Sequence, residues 1–567
     1  MKCVLLFFLL PLISAEIRNE NYFNVENFDV SRRYRPNWDD LDTRPLPRWY
    51  DEAKIGIFLH WGVFSVPSFG SEWFWSNWQG KNDNYTNFMK KNYPPNFTYQ
   101  EFAPMFTAEF FDPEEWATLF SKAGANTVLL AHVIPCMCGL AYSVMEPCRQ
   151  VFVLILPSVL IFNEPPPVFS ITCNKLNLAV YYLPMFYFWA SHFHCLKTRH
   201  PVYGGHNLTN LPCFPSFDAI LSDKYIWPDY RSKLKFYTLY SYIVLTSKHH
   251  EGFTLFPSKR SYSWNAVDVG PHRDLVGDLA KSVRDAGIKF GIYHSLYEWY
   301  NPIYLEDRKT NFTTRTYVIN KLWPDLKQLI NDYHPSVLWV DGDWEAYDRY
   351  WHSQEFLAWL YNDSPVADEI VTNDRWGIGC YGKHGDFYNY ADRYNPGKLL
   401  AHKWENAFTV DSKSWGYRRN VKLSEVLSFD DLLYQVVSSV SCGGNALINV
   451  GPTKEGTIAP IYQERLLSLG AWLDINGEAI YASSPWLHQN DSANTDVWYT
   501  CRRAEYNVQS PTSKPLMTDS LTAIYAIVLK WPQESVLVVK DITMTLHSGN
   551  YKIQMLGNPD IKIEVCL

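Results

Sequence analysis

Several stretches of this chain repeat one order: a segment with helical spacing of apolar residues, a small-residue stop, a short continuous apolar run, and then a polar side chain. Asp112-Pro-Glu-Glu-Trp-Ala-Thr-Leu-Phe-Ser-Lys-Ala-Gly124 has an N-cap Asp, a Pro in the first helical position, a Glu at N3 and a terminating Gly. With Trp116, Leu119, Phe120 and Ala123 on one face, it predicts a helix. His272–Gly287 repeats the form with Leu275, Leu279 and Val283 and leads into Ile288-Lys-Phe-Gly-Ile-Tyr-His294. Lys321–Tyr333 does the same and leads into Val337-Leu-Trp-Val-Asp-Gly-Asp-Trp344, an apolar run that ends in two acids around one glycine. Further strand-like runs are Ile55–Trp61, Tyr242–His250, Glu369–Trp376, Leu399–Glu405 and Ala446–Val450. Short apolar runs alternating with helices predict parallel strands covered on both faces. The economical architecture is an α/β (β/α)8 TIM-like barrel over residues 16–485, with its active site at the C-terminal strand ends. After about Trp486 the spacing changes to period 2, in Val497-Trp-Tyr-Thr500, Leu521–Trp531 and Ser535–Asp541, which predicts a small antiparallel β-sandwich domain over 486–567.

One segment breaks the pattern. Between Asn126 and Tyr242 charged residues are sparse, and the apolar runs Val151–Phe162 and Leu178–Trp189 each carry a Pro and fall short of membrane-spanning length. Ala123-Gly-Ala-Asn126 should lead straight into a strand, and Tyr242-Ile-Val-Leu-Thr246 supplies a better one than Thr127-Val-Leu-Leu130. Residues 127–241 therefore read as an insertion inside one βα unit, either translated non-coding sequence or an elaborated loop.

Composition narrows the class. With 567 residues and 47% hydrophobic content the chain can bury a large core, and its net charge of −8 is dispersed rather than blocked, which excludes a nucleic-acid footprint. The 23 Trp suit the apolar faces of sugars and equally suit a large core. Of the 11 Cys, Cys136, Cys138, Cys148, Cys173, Cys195 and Cys213 crowd one region, but Cys136-x-Cys138 lacks metal or redox spacing and no matching Cys/His pair follows. No metal and no cofactor are expected. Met1–Ala15 has the form of a signal peptide, one charge before an apolar stretch and then small residues, too short to anchor in a membrane. Acceptor sequences at Asn84, Asn96, Asn207, Asn311 and Asn490 fit a secretory route, with that at Asn362 weakened by Pro365.

Polar side chains recur at the predicted strand ends: His60, His249 and His250, Tyr293 and His294, Asp341, Arg375, Glu405. Helix caps would be Ser, Thr, Asp or Asn and would not account for so many His and Glu. The parts for serine hydrolysis, phosphoryl transfer and zinc proteolysis are missing, which leaves carboxylates among aromatics. Glycosyl transfer needs one ionised carboxylate below the anomeric carbon and one acid beside the leaving oxygen, about 5 Å apart when configuration is retained. By position the pair is Asp341 and Glu405.

The chain resembles the α-L-fucosidase family of retaining glycoside hydrolases, in its animal lysosomal type, over about Tyr34 to Asn126 and Tyr242 to Trp486. The resemblance rests on His60-Trp-Gly62, Ser71-Glu-Trp-Phe-Trp75, Lys248-His-His-Glu-Gly-Phe253, Asp268–Leu275, Tyr293-His-Ser295, Asn373-Asp-Arg-Trp376, Lys403-Trp-Glu405, Ser414-Trp-Gly-Tyr417 and Asn449-Val-Gly-Pro452. It implies Asp341 as nucleophile and Glu405 as acid/base, in hydrolysis of terminal α-L-fucose from glycoproteins, glycolipids and oligosaccharides. Fucose hydroxyls would be held by His60, Glu72, Trp73, His249, His250, Tyr293, Trp339 and Arg375, with Trp73 or Trp339 against the C6 methyl. It also implies a lysosomal or secreted homo-oligomer. The chain departs from the family pattern in having Asn406-Ala407 where a Cys follows the Lys-Trp-Glu acid, and in ending at Leu567, before the β domain's closing strands. The alternatives are a catalytically inactive fucose-binding protein or misfolded splice product, and a barrel glycosidase for another sugar such as galactose.

Overall fold

The computed structural model describes residues 4–9, 33–125, 172–173, 176–177, 241–503, 521–533, 536–542, 551–558, 561 and 563–564. The chain divides into two units, Met1–Leu129 with Tyr237–Leu567, and Leu130–Phe236. Of the second only the paired strands Thr172–Cys173 and Leu176–Asn177 are described. Except for those four residues and Ser241, the predicted insertion, with its cysteine cluster, lies outside the described residues.

In the first unit the helix signals act as read. Asp112 accepts from the Glu114 and Glu115 amides and starts the helix Pro113–Phe120. Asp274 caps Leu275–Asp285, and Trp323–Tyr333 ends at His334 in the left-handed region. Seven strands form one parallel sheet in the order Val371–Thr372, Val337–Asp341, Lys289–Ser295, Tyr242–Lys248, Ile55–Leu59, Gly444–Val450, Trp404–Thr409. The gap between the two end strands is spanned by Asp386–Tyr388. The amides of Asp386 and Phe387 donate to the Thr372 carbonyl, and Tyr388 exchanges hydrogen bonds with Lys403 and Glu405. The expected barrel is present, with an irregular three-residue segment in the eighth position.

Side-chain alternation divides the barrel into two cores. Ile57, Leu59, Leu338 and Val340 pack outward into the large core they share with the helices. Phe58, Tyr242, Val244, Tyr293, Val337, Trp339, Ala407 and Leu447 fill the interior. Asp341, two residues beyond Trp339, therefore continues the inward row at the C-terminal mouth. Glu405 belongs to an inward row too, but at the start of its strand, opposite Asn445; Asn449, four residues further along that neighbour, is the residue at the mouth.

After residue 483 the strands Ser484–Asn490, Val497–Arg503, Leu521–Val528 and Tyr551–Met555 belong to one antiparallel sheet, with the backbone of Val4–Leu9, from the predicted leader, between the last two. Its core holds Trp486, Tyr499, Cys501 and Ile524. The predicted strand over Ser535–Asp541 does not form among its described residues. Leu537 and Val539 do turn inward and Val536 and Val538 outward, as the period-2 pattern requires, but no ladder accompanies them. No described helix is long and apolar enough to cross a membrane.

Candidate active site

A cavity opens at the C-terminal mouth, lined by Phe58, His60, Glu72, Trp73, His249, His250, Tyr293, Trp339, Asp341, Trp344, Arg375, Asp392 and Trp415. All eight residues expected to hold a sugar are in its wall, and so is the expected nucleophile.

Three side chains converge on Asp341 there. The Tyr293 hydroxyl donates to Oδ2 at 2.7 Å, Arg375 donates to Oδ1 at 3.0 Å, and His250 Nε2 lies 3.5 Å from Oδ2. Burial would raise its pKa, but the His250 contact, the Arg375 charge and the Tyr293 hydroxyl outweigh that and hold it well below the usual carboxylate range. Gly342 takes φ +93, a conformation suited to glycine, and so lets the chain turn away directly after the carboxylate. Neighbouring Asp343 does not line the cavity; burial foremost pushes its carboxyl up to about 7.

The second nitrogen of the Arg375 fork reaches Asp392 Oδ1 at 2.6 Å, while the guanidinium lies over the Trp339 ring at 4.7 Å. One planar group thus joins two carboxylates that both line the cavity. Asp392 has 46% of its side chain exposed, against 12% for Asp341.

The expected acid/base is elsewhere. Glu405 is fully buried below the cavity floor and does not line it. Its Oε2 accepts from the hydroxyls of Tyr50 and Tyr242, and its Oε1 from Trp339 Nε1 and Asn389 Nδ2. Burial raises its pKa, and those four donors oppose the shift. A group enclosed in this way cannot reach a leaving oxygen. Glu405 braces Trp339, and the carboxylate that the Arg375 fork ties to Asp341 in the cavity wall is Asp392.

The histidines are oriented by their neighbours. Asn449 Nδ2 donates to Thr409 Oγ1 and the Trp415 carbonyl, so its oxygen faces His60 Nδ1 at 2.8 Å and accepts the ring N–H. Burial, then His249, lowers the His60 pKa to about 3, so the ring is neutral and Nε2 is an acceptor. The Ser295 hydroxyl donates to the Tyr297 carbonyl and so accepts from His250 Nδ1 at 2.6 Å. Glu72 is gripped through Oε2 by the Ser414 hydroxyl and the amides of Trp415 and Gly416.

Phe58, Trp344, Asp392 and Trp415 were not singled out from the sequence as site residues. Trp415 sits in the Ser414-Trp-Gly-Tyr417 motif and could have been found there. Asp392 lies in a turn-rich stretch with no periodicity, and nothing in the sequence marks it.

Comparison with known proteins points to one family. A family model described as Alpha-L-fucosidase matches residues 22–132 and 240–478, and one described as the Alpha-L-fucosidase C-terminal domain matches 489–565. The tissue α-L-fucosidase of Homo sapiens is 40% identical over 554 residues, 98% of this chain and 88% of that protein. An α-L-fucosidase of Branchiostoma floridae is 42% identical over 528 residues, 93% of this chain and 87% of its own. The plasma α-L-fucosidase of Homo sapiens is 40% identical over 529 residues. Among solved structures, the α-fucosidase of Thermotoga maritima superposes with a TM-score of 0.56 at 26% identity, covering 92% of this chain and all of that one. On fold, cavity and similarity together, the chain belongs to the α-L-fucosidase family.

Proposed function

We propose that this chain is a retaining α-L-fucosidase that hydrolyses terminal α-L-fucose from glycans, with Asp341 attacking C1 and Asp392 serving as general acid and then general base. The observation that carries this reading is the Arg375 fork, which holds both carboxylates within reach of one sugar ring. Their surroundings differ in exposure and in contacts. Asp341 is kept ionised by donors on three sides, as a nucleophile must be. Asp392 is half exposed, where a leaving sugar and then a water can approach. Glu72, the third carboxylate in the wall, already accepts three hydrogen bonds and suits hydroxyl binding. In the first step the Asp341 oxygen bonds to C1 as the C1–O bond breaks, and the leaving oxygen takes the Asp392 proton. In the second, Asp392 takes a proton from water, which displaces the Asp341 ester. Trp73 and Trp339 offer apolar surface for the C6 methyl.

Aryl α-L-fucosides of graded leaving-group acidity test the assignment. Asp341→Gly should lose on the order of 10⁴-fold in turnover while still binding L-fucose. Asp392→Ala should lose about 10²–10⁴-fold on poor leaving groups and much less on activated ones. An equal loss on all leaving groups would remove Asp392 from the acid role. Nothing in the cavity favours the inactive fucose-binding reading. Entry into the secretory route behind a leader over residues 1–15, to a lysosomal or extracellular destination, belongs to the same proposal, as does homo-oligomeric assembly. N-terminal sequencing of secreted protein and its mass by light scattering check these two points.

A further inference from the structure

Behind the cavity wall, Glu251 occupies a fully buried position that the two-carboxylate scheme leaves unused. Its Oε2 lies 3.4 Å from Nδ1 of His249, with both side chains almost inaccessible. Neither that nitrogen nor either carboxylate oxygen makes a hydrogen bond among the described residues, so the two groups face each other just beyond bonding geometry, and the Tyr99 hydroxyl, which also interacts with Glu251, is unpaired as well. Gly62 makes the room: a Cβ there would lie 3.1 Å from Glu251 Oε1. The His249 ring lines the cavity and stacks on Tyr293 at 5.7 Å. With Nδ1 turned towards Glu251, Nε2 is the nitrogen left for a sugar hydroxyl.

A neutral imidazole has one donor and one acceptor nitrogen, so whatever engages Nδ1 decides what Nε2 offers. We propose that Glu251 is a positioning residue for sugar binding: its carboxylic acid donates to His249 Nδ1 and fixes the tautomer whose Nε2–H donates to a fucose hydroxyl. His249 is then opposite in sense to His60, whose Nδ1–H is taken by Asn449 and whose Nε2 accepts. This rests on the fucosidase reading. The charged and titratable groups facing the pair are Lys248, Glu298, His250, Tyr99, His60 and Asp341. Burial foremost pushes the Glu251 carboxyl up to about 8, with its own N–H, His250 and Lys248 opposing and Glu298 adding. Burial, then His250, keeps His249 well below the ordinary histidine value. At neutral pH the pair is therefore acid and neutral base. As pH rises through about 8, Glu251 ionises, draws the ring proton to Nδ1 and turns Nε2 into an acceptor.

The test is L-fucose binding by calorimetry from pH 5 to 9, a readout independent of turnover. Wild type should lose about three- to tenfold in affinity above pH 8, the worth of one hydrogen bond. Glu251→Gln, whose amide donates at every pH, should keep the neutral affinity and show no alkaline loss. If both proteins give the same pH profile, or if ¹⁵N-histidine spectra of wild type at pH 7 place the His249 proton on Nδ1, the proposal is overturned, and the spectra decide it even if the variant does not fold. Should wild type neither bind L-fucose nor cleave an aryl α-L-fucoside, the fucosidase reading itself falls.

Discussion

Glu405 meets the sugar cavity only through Trp339, whose indole Nε1 donates to Oε1 at 3.0 Å. Glu405→Gln puts an amide N–H₂ in place of an oxygen that accepts two hydrogen bonds, leaving two donors without their acceptor at about 1–3 kcal/mol each. The expected outcome is a lower melting temperature and a raised KM as Trp339 loosens. The dependence of rate on leaving-group acidity should match wild type, in contrast to Asp392→Ala.

Arg375→Gln removes the charge shared by Asp341 and Asp392. Loss of the clamp should lower kcat/KM by about 10²–10³-fold. The cation is among the groups that hold the Asp341 pKa down, so without it a larger share of Asp341 is protonated at any given acidic pH. The acid limb of the pH–rate profile should therefore move to higher pH, which a profile on an activated aryl fucoside reads directly.

Acid should destabilise the protein through His60. Its folded pKa of about 3 lies below the unfolded value of 6.5, so between these values the unfolded chain binds more protons. Stability from this group is intact above pH 6.5 and is lost as pH falls towards 3, at up to ~1.4 kcal/mol per pH unit. Urea titrations at pH 7, 6, 5 and 4 should show His60→Gln losing less stability over that range than wild type does.

Gly342→Ala should be costly despite its size. A Cβ would lie 2.6 Å from the Tyr297 ring, in a backbone conformation that L side chains rarely adopt. Tyr297 stacks on His250 with ring centroids 4.9 Å apart, so the displaced ring disturbs a contact of Asp341. About 1–3 kcal/mol of stability and a measurable fall in kcat are expected, checked by thermal melting and by turnover on one aryl fucoside.

The barrel was legible because its strands are buried on both faces and read as continuous apolar runs, with the caps at Asp112 and Asp274 marking the helices between them. Asp341 was legible because it closes such a run. Glu405 was misplaced by a shift of one strand boundary. The apolar Leu399–Leu400 looked like the strand interior, yet the ladder runs Trp404–Thr409, which turns a supposed strand end into a strand start at the far side of the barrel. Asp392 and the Asp386–Tyr388 closure left no trace, since irregular backbone fixed by long-range hydrogen bonds has no period to detect. The aromatic walls fared better because Trp73 falls inside the Ser71–Trp75 motif and Trp339 lies in the apolar run that ends at Asp341.

The three-residue closure has a mechanical consequence. Asp386–Tyr388 is an irregular stave beside the two-residue strand Val371–Thr372, and it stands between the segment that carries Arg375 and the loop that carries Asp392. Thermal breathing concentrates where the fewest backbone bonds must break. The flank beside Arg375 and Asp392 is thus built with slack, whereas Asp341 is stitched on its other side to the seven-residue strand Lys289–Ser295 and keeps its aim.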